Sequence, residues 1–283
     1  MENLIHSSPD ALWMDGFDPA CLLAAETAFT QDNGWMRVRG YPDESTHAPS
    51  VPFAAFAGVT DEEGRAVCAA DWLFVRLSVN GQHVLTQEKT PDYHCRLDLR
   101  TELLNRRYTL TLQDDLRLTV QLERALGWQH MHCAAQRLTL VSSRDALLSM
   151  NLGVDGNLPD PVTGVCPWRQ TGCKTAENRA GLSLRHPNGA EIACLFEVTS
   201  PFPLMALDID RRVVFGLSGM LRAGQSCVVE RKIVNAVNPG AWSLQSLDGA
   251  PSLDQLTAEN AAWYDSHWLP ASRKEQSGVF GRL

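Results

Sequence analysis

The stretch WLFVRLSVNGQHVL, residues 72–85, alternates between apolar and polar side chains and contains a turn. Its apolar positions are every second residue: Leu73, Val75, Leu77 and Val79. Because successive side chains of a strand point to opposite faces, this period of two predicts a half-buried β-strand. Asn80-Gly81 predicts a tight hairpin turn, since both residues tolerate positive φ, and the chain returns through residues 83–85.

The same alternation recurs along most of the chain. It marks further strand-forming segments at residues 108–112, 116–122, 138–140, 148–152, 182–184, 192–198, 205–209, 213–217 and 227–237. Short turns, such as Asp114-Asp115, Pro187-Asn188-Gly189 and residues 222–225, separate them. Many strands without intervening helical segments predict antiparallel sheets packed face to face. We therefore expect a mainly β fold, one large antiparallel sandwich over residues 1–250.

Two regions depart from the strand pattern. Residues 157–178 are rich in Gly, Pro and polar side chains, so we predict a long loop that contains Trp168. Near the C-terminal end, Ser252 and Gln255 form a capping box, and apolar residues follow at helical spacing. We expect a linker-type helix over residues 251–270, stopped by Pro270, and a polar tail over residues 271–283.

Composition excludes several function classes. The formal net charge is −8 and no run of Lys or Arg appears, which argues against a nucleic-acid partner. No apolar stretch is long enough for a membrane span, and no secretory signal precedes the first strands, so we expect no membrane association and a cytoplasmic location. In that compartment the eight scattered cysteines are expected to be reduced, buried thiols; a Cys166–Cys173 disulfide is the alternative.

Motifs for chemistry are scarce. No P-loop or GxGxxG stretch is present, so we expect no nucleotide cofactor, and no carboxylate lies in a motif that marks the acid of a glycoside-cleaving enzyme. His130, His132 and Cys133 are residue types that bind zinc. On a strand, however, Cys133 would point away from the two histidines, so we predict no metal site.

Several short motifs resemble glycoside hydrolase family 65, the family of maltose, trehalose and kojibiose phosphorylases. Its opening signature is similar to residues 26–29, ETAF, and residues 33–40, NGWMRVRG. Further matches follow in the family's order: Gly58-Val59, Trp72, Asn80-Gly81, Leu97-Asp98-Leu99-Arg100 with Leu104 and Arg106, Glu123-Arg124, His130, Trp263 and Trp268. Arg37 and Glu102 stand where the family usually has glycine. These departures suggest a diverged member.

The resemblance implies a particular architecture. In that family the amino-terminal domain is a super-β-sandwich of the galactose mutarotase-like type, and a following (α/α)6 barrel holds the general acid and the phosphate-binding residues. The sequence ends soon after Trp268, which leaves no room for such a barrel. We therefore expect a non-catalytic amino-terminal-type domain, without cofactor, that acts as a carbohydrate-associated or assembly module in disaccharide metabolism.

Aromatic and guanidinium side chains are the candidate sugar contacts, because indole faces stack on sugar C–H groups and guanidinium groups hydrogen-bond hydroxyls or phosphate. The candidates are Trp35, Arg37, Arg39, Tyr41, Trp72 and Trp168. The alternative for each is packing in the core or at an interface.

The expected partners are a sugar or sugar phosphate, and either a separate (α/α)6 barrel subunit or a second copy of the chain. Two other functions stay open. One is an enzyme: a mutarotase-like epimerase, with Glu123, His130 and His132 as its acid and base, or a glycoside hydrolase or phosphorylase with an unrecognised site. The other is a structural interaction domain that binds no sugar.

Overall fold

A computed structural model describes residues 5–40, 42–44, 54–61, 63–84, 90–160 and 163–267. In these residues the chain forms two α-helices, α1 (Leu22–Ala28) and α2 (Leu253–His267). The same residues form eighteen strands: β1 (Ile5–Ser8), β2 (Ala11–Phe17), β3 (Gln31–Asp32), β4 (Met36–Val38), β5 (Ala54–Phe56), β6 (Val75–Val79), β7 (Gln82–His83), β8 (Thr90–Asp98), β9 (Leu103–Thr111), β10 (Arg117–Leu126), β11 (Cys133–Ser142), β12 (Ala146–Asp155), β13 (Arg169–Ala176), β14 (Arg179–Arg185), β15 (Glu191–Thr199), β16 (Leu204–Ile209), β17 (Arg212–Leu221) and β18 (Ser226–Val237).

The strands pair antiparallel in three sheets. A ten-stranded sheet has the order β1-β2-β8-β9-β10-β11-β18-β15-β14-β13, and a five-stranded sheet has the order β16-β17-β12-β6-β7. Strands β3, β4 and β5 form a small third sheet. The mainly β, antiparallel sandwich expected from the period-two pattern is confirmed.

The core lies between the two larger sheets. Alternate residues of the central strands face inward, as in Leu118, Val120 and Leu122 of β10, which are at most 2% exposed. Strand β12 of the five-stranded sheet contributes Leu148, Met150 and Leu152, which are equally buried. These side chains belong to one continuous apolar cluster, so the two sheets share a single core.

The predicted hairpins are present. Strands β6 and β7 flank Asn80-Gly81, and Asn80 has a φ of 50° and Gly81 a φ of 78°, as the sequence predicts. Strands β9 and β10 flank the predicted turn at Asp114-Asp115, and β14 and β15 flank the predicted turn at residues 187–189. Leu85, in the returning strand of the first hairpin, lies outside the described residues.

The long loop predicted over residues 157–178 is wrong in its second half. Residues 169–176 form β13, which pairs with β14 at the edge of the ten-stranded sheet. Because one side of an edge strand has no neighbour, most side chains of β13 are exposed or half-buried, and the strand lacks the buried alternation by which a strand is recognised.

Helix α2 begins at the predicted capping box. The backbone N–H of Ser252 donates to Gln255 Oε1 at 2.8 Å, and the N–H of Gln255 donates to Ser252 Oγ at 3.3 Å. Leu253 and Leu256 pack on Ala125 and Ala135 of the ten-stranded sheet. The predicted stop at Pro270 and the polar tail lie outside the described residues.

Candidate functional site

The family-like motif at residues 33–40 lies in what we name the signature segment, the described residues among 31–44. Its Asn33 is 2% exposed, and the Asn33 side chain makes four hydrogen bonds. The Asn33 side-chain oxygen accepts from the backbone N–H groups of Trp35 and Met36. Its amide donates to the carbonyls of Gly127 and Met131, at 2.7 and 2.9 Å. The Asn33 side chain therefore stabilises the turn at residues 33–36 and hydrogen-bonds that turn to the loop between β10 and β11.

The two glycines of the motif, Gly34 and Gly40, are each required for a different physical reason. Gly34 has a φ of 83°, a backbone conformation that residues with a Cβ atom rarely adopt. Gly40 lies so close to Phe29 that a Cβ added to Gly40 would come within 2.5 Å of the Phe29 Cβ. The motif therefore requires glycine at both positions, at the first for a turn and at the second for close packing.

Two of the predicted sugar contacts, Trp35 and Arg37, lie at the surface of the signature segment. Trp35 is half-buried between Phe56 and His132, with ring centroids 5.2 and 4.0 Å away. Arg37 is exposed and pairs with Asp32 at 2.6 Å. Arg37 is the exposed residue of β4, and Trp35 lies in the bend just before that strand, so the two are near one another at the surface.

Three other predicted contacts, Arg39, Trp72 and Trp168, do not join them on that surface. Arg39 is mostly buried beside Glu26, at 3.4 Å. Trp72 and Trp168 are at most 2% exposed, and the Trp168 indole donates to the Cys68 carbonyl. The structure thus places both indoles in the core, with no face open to a ligand. Tyr41 lies outside the described residues.

Two acidic residues end the signature segment, and both are buried. Glu44 is fully buried and accepts hydrogen bonds from both terminal nitrogens of Arg106, at 2.9 and 2.6 Å. The Tyr108 hydroxyl donates to the same carboxylate at 2.9 Å. A bidentate arginine–carboxylate pair of this kind is among the strongest polar contacts that a protein makes.

The neighbouring Asp43 has an equivalent partner one strand away. Arg124 of β10 donates to Asp43 at 2.5 Å, and also to Gln31 and to the Arg39 carbonyl. Gln136 of β11 donates to the other Asp43 oxygen at 2.8 Å. These contacts leave both carboxylates neutralised inside the protein.

The chain of polar contacts continues across the core. The Gln136 side-chain oxygen accepts from Arg231 of β18, and Arg231 also donates to the carbonyl of Gly153, in β12 of the opposite sheet. Burial lowers the pKa of Arg231 to about 10, which leaves it charged at neutral pH. We name the connected set the buried ion-pair network: Asp43, Glu44, Arg106, Arg124, Gln136 and Arg231.

Sequence reasoning missed this network, although a signal for it exists. Arg106, Arg124 and Arg231 each occupy an inward position of a strand whose other inward residues are mostly apolar. A buried arginine requires buried acceptors, and most often an acid is among them. The pattern therefore indicates buried acids elsewhere in the chain, and Asp43-Glu44 directly follow the signature motif.

Glu102 is a further buried acid, at a site where the family usually has glycine. It lies in the turn between β8 and β9 with a φ of 54°, which explains the preference for glycine there. It is 6% exposed, and burial, together with the nearby Asp32 carboxylate, raises its pKa to about 8. This chain therefore has a strained, costly residue at that turn.

The histidine and cysteine candidates are spread apart. His130 and His132 lie in the loop before β11 rather than on a strand, His130 beside Glu259 and His132 against Trp35. Glu123 lies in β10 and accepts from Asn105 at 3.4 Å. Among the described residues no group of three or more His, Cys, Asp or Glu side chains could hold a metal ion.

The cysteines are free thiols without signs of activation. Burial raises the pKa of Cys95 and Cys173 to about 12 and that of Cys133 to about 11. Since the thiolate is the nucleophilic form, these thiols are poorly suited to attack a substrate. Cys166 and Cys173, the possible disulfide partners, are both free.

The described residues also contain no helix that is long and apolar enough to cross a membrane.

The fold and the buried ion-pair network define a large, two-sheet antiparallel β-sandwich domain. The family described as glycosyl hydrolase family 65, N-terminal domain, matches residues 12–267. This match covers most of the chain, and the chain belongs to that family. The resemblance drawn from the short motifs is therefore confirmed. A search of curated proteins found no match.

Solved structures show the same fold. A protein from the human microbiome that is assigned as a kojibiose phosphorylase matches 94% of this chain with a TM-score of 0.80 and 17% identity. The match covers 39% of that protein, so this chain spans about two fifths of its length.

Two lyases of known structure are much less similar to this chain. Heparinase III, the BT4657 gene product, matches 71% of this chain and 32% of its own at 6% identity and a TM-score of 0.37. Heparan sulfate lyase HepC from Pedobacter heparinus matches 75% and 35%, at 11% identity and a TM-score of 0.37. Scores this low support no argument.

We expect Asn33→Ala to destabilise the protein by about 2–4 kcal/mol, because it leaves buried backbone groups of two loops without partners. Urea unfolding measures this change. Asp32→Ala is the control, because the neighbouring Asp32 makes its contacts, with the Gly34 N–H and the Arg37 side chain, at the exposed side of the turn, and it should cost only about 1 kcal/mol. Equal losses in the two variants would contradict the role assigned to Asn33.

Glu102→Gln should change how stability depends on pH. The pKa of Glu102 is raised in the folded state, so its protonated form favours folding; this stabilisation is complete below about pH 4.5 and is lost as pH rises to about 8. We expect the substitution to add about 3–5 kcal/mol to the free energy of unfolding at pH 8 and little at pH 4.5. Urea unfolding at several pH values measures this difference. Glu177→Gln, an exposed acid also at positive φ, should change neither value.

Proposed function

We propose that the chain is a non-catalytic, carbohydrate-associated domain in disaccharide metabolism, which works in the cytoplasm beside an (α/α)6 barrel. Family membership supports the link to glycoside phosphorylases and hydrolases. One observation supports the lack of turnover above all: the two adjacent acids of the signature segment, Asp43 and Glu44, are each bound to an arginine in the core. An acid that protonates a glycosidic oxygen must instead face a cleft.

We propose Trp35 and Arg37 as the sugar contacts. The half-buried Trp35 indole offers an apolar surface for the C–H face of a pyranose ring. The exposed Arg37–Asp32 pair lies near Trp35 at the surface and provides donors and acceptors for vicinal hydroxyls. In this arrangement Arg39 has a positioning role, because Glu26 and Thr27 engage its guanidinium group.

The proposed partners follow from the same assignment. They are a sugar or sugar phosphate, together with a separate (α/α)6 barrel subunit or a second copy of this chain. We propose neither a nucleic acid nor a membrane as partner, since the net charge of −8 disfavours both phosphate backbones and anionic lipids.

An epimerase is the alternative enzyme, and the geometry gives it little support. Its acid and base would be Glu123 in the middle of β10 and the histidines in the loop beyond the strand's end. Glu123 lies on the outer face of the sheet, beside Asn105 and Arg137, and not in a cleft with His130. A domain without sugar affinity is the second alternative, and the binding experiment below tests it.

The purified chain should release no glucose 1-phosphate from maltose, trehalose or kojibiose with phosphate. It should bind a disaccharide or glucose phosphate weakly, with shifts of the Trp35 indole signal in NMR titrations. Arg37→Ala should weaken that binding at least fivefold, because it removes the hydroxyl contacts.

Arg65→Ala is the matched control, because Arg65 is similarly exposed and pairs with Asp61 in the same way. The control should bind like the unaltered chain. Turnover that persists through rigorous purification would contradict the non-catalytic role. Absence of any binding at millimolar ligand would leave the structural interaction domain as the function.

A further inference from the structure

The outer face of the ten-stranded sheet contains a groove of about 460 Å³ over β8, β9 and β10, which we name the outer groove. Arg96 of β8 is directly opposite Asn105 of β9. In the next outward row, His94 is opposite Arg107, which is in turn opposite Gln121 of β10. Because side chains that are opposite on neighbouring strands lie side by side, three basic groups and two amides meet in one depression.

The positive charges of the outer groove are poorly compensated. Arg107 forms no ion pair with any described residue, and Arg96 has one long contact, at 3.9 Å, with Asp98. By contrast, Arg137 and Arg179 on the same face of the sheet each pair with two carboxylates. Since like charges on adjacent strands repel one another, this arrangement is unfavourable in the free domain and favours the binding of an anion.

The acids beside the outer groove are already engaged. Asp98 accepts hydrogen bonds from the backbone N–H groups of Arg100 and Thr101 and from the Thr101 hydroxyl, within the turn between β8 and β9. Asp15 accepts from Nδ1 of His94 at 2.7 Å, which leaves Nε2 of that ring without a partner among the described residues. These contacts reduce the repulsion that an incoming anion would meet.

An indole ring borders the basic groups. Trp13 of β2 is directly opposite Arg96, and its side chain is half-buried. His6 of β1 stacks on Trp13, with ring centroids 5.6 Å apart. Because β1 and β8 lie on opposite sides of β2, His6 covers one side of the indole, and the other side is turned towards Arg96 and the outer groove.

We propose that the outer groove binds an anionic sugar, a pyranose that bears an oxyanion such as phosphate. Arg96 and Arg107 bind the oxyanion, because guanidinium groups form charge-assisted and often bidentate hydrogen bonds with such groups. The open side of the Trp13 indole packs against the C–H face of the sugar ring. The volume of the groove is typical of a small-molecule site, about 300–1,000 Å³.

The two amides provide contacts for the sugar hydroxyls. Asn105 donates to the Glu123 carboxylate, and Gln121 hydrogen-bonds the same group. Each amide therefore keeps its side-chain oxygen as an acceptor, and a sugar hydroxyl can donate to it.

This site goes beyond the proposed function. The Trp35 surface lies against Phe56 of the small third sheet and against His132, whereas the outer groove lies on strands β8, β9 and β10 of the large sheet. Neither surface shares a residue with the other, so each can be tested separately.

Calorimetric titration of the chain with glucose 6-phosphate should show saturable binding. The affinity should be about tenfold higher than for glucose or for inorganic phosphate, because each of these probes lacks one half of the contacts. Titration with glucuronate distinguishes the two sources of the oxyanion, since the tighter of the two anionic sugars identifies phosphate or carboxylate as the group recognised. The indole NMR signal of Trp13 should shift with the bound anionic sugar.

Arg107→Gln should weaken this binding about tenfold, because it removes charge-assisted hydrogen bonds to the oxyanion. Its melting temperature should stay unchanged or rise, since Arg107 has no ion pair among the described residues and is opposite His94. Lys232→Gln is the matched control, because it removes the same charge from the same face of the sheet, on β18 and outside the groove. The control should bind like the unaltered chain.

The absence of saturable binding of either anionic sugar at millimolar concentration would overturn the inference. Equal weakening by Arg107→Gln and Lys232→Gln would also overturn it, and so would inorganic phosphate binding as tightly as the anionic sugars. The proposed sugar contact at Trp35 fails separately: Arg37→Ala should leave the Trp13 shifts unchanged, and shifts of Trp13 without shifts of Trp35 would contradict that contact alone.

Discussion

The burial of two adjacent carboxylates is the constraint on which the structure depends. Each ion would cost several kcal/mol inside the protein if it were unpaired. Asp43 and Glu44 are therefore tolerable only because Arg124 and Arg106 meet them with nearly ideal geometry. Since each arginine lies on a different strand of the large sheet, the signature segment has one position in which both charges are satisfied.

The same network connects the layers of the sandwich. Arg124 ties the large sheet to β3 through Gln31 and to the signature segment through the Arg39 carbonyl. Arg231 extends from the large sheet to the Gly153 carbonyl of the five-stranded sheet. The apolar core supplies most of the stability, whereas the network fixes how the three sheets are placed. Residues that resemble a sugar-enzyme motif thus act mainly through packing and hydrogen bonding.

The sequence was informative where a local rule applies. Alternation predicts β10 and β12 because one face of each is buried, Asn80-Gly81 predicts its turn through positive φ, and the Ser252 capping box predicts the start of α2. The sequence was uninformative where tertiary contacts determine the structure or the environment of a residue. The edge strand β13 lacks a buried face. Trp168 can equally line a surface or fill a core, and only the packed sheets show that it fills the core.

For the candidate site, the sequence predicted six sugar contacts, and the structure places some of them at the surface and others in the core. Trp35 and Arg37 lie at the surface, as a sugar contact requires, whereas Trp72 is enclosed between sheets. Residue type alone cannot separate these cases. The inward register of Arg106 on β9 could have revealed the buried acids, because charge in an apolar register demands a partner.

A double-mutant cycle on Glu44 and Arg106 tests the central claim most directly. Urea unfolding would be measured for Glu44→Gln, Arg106→Met and the combined variant. If the buried pair holds the signature segment in place, each single change should cost about 3–5 kcal/mol, and the combined change should cost clearly less than their sum. Single losses below about 1 kcal/mol that simply add would show that the sandwich does not depend on this pair.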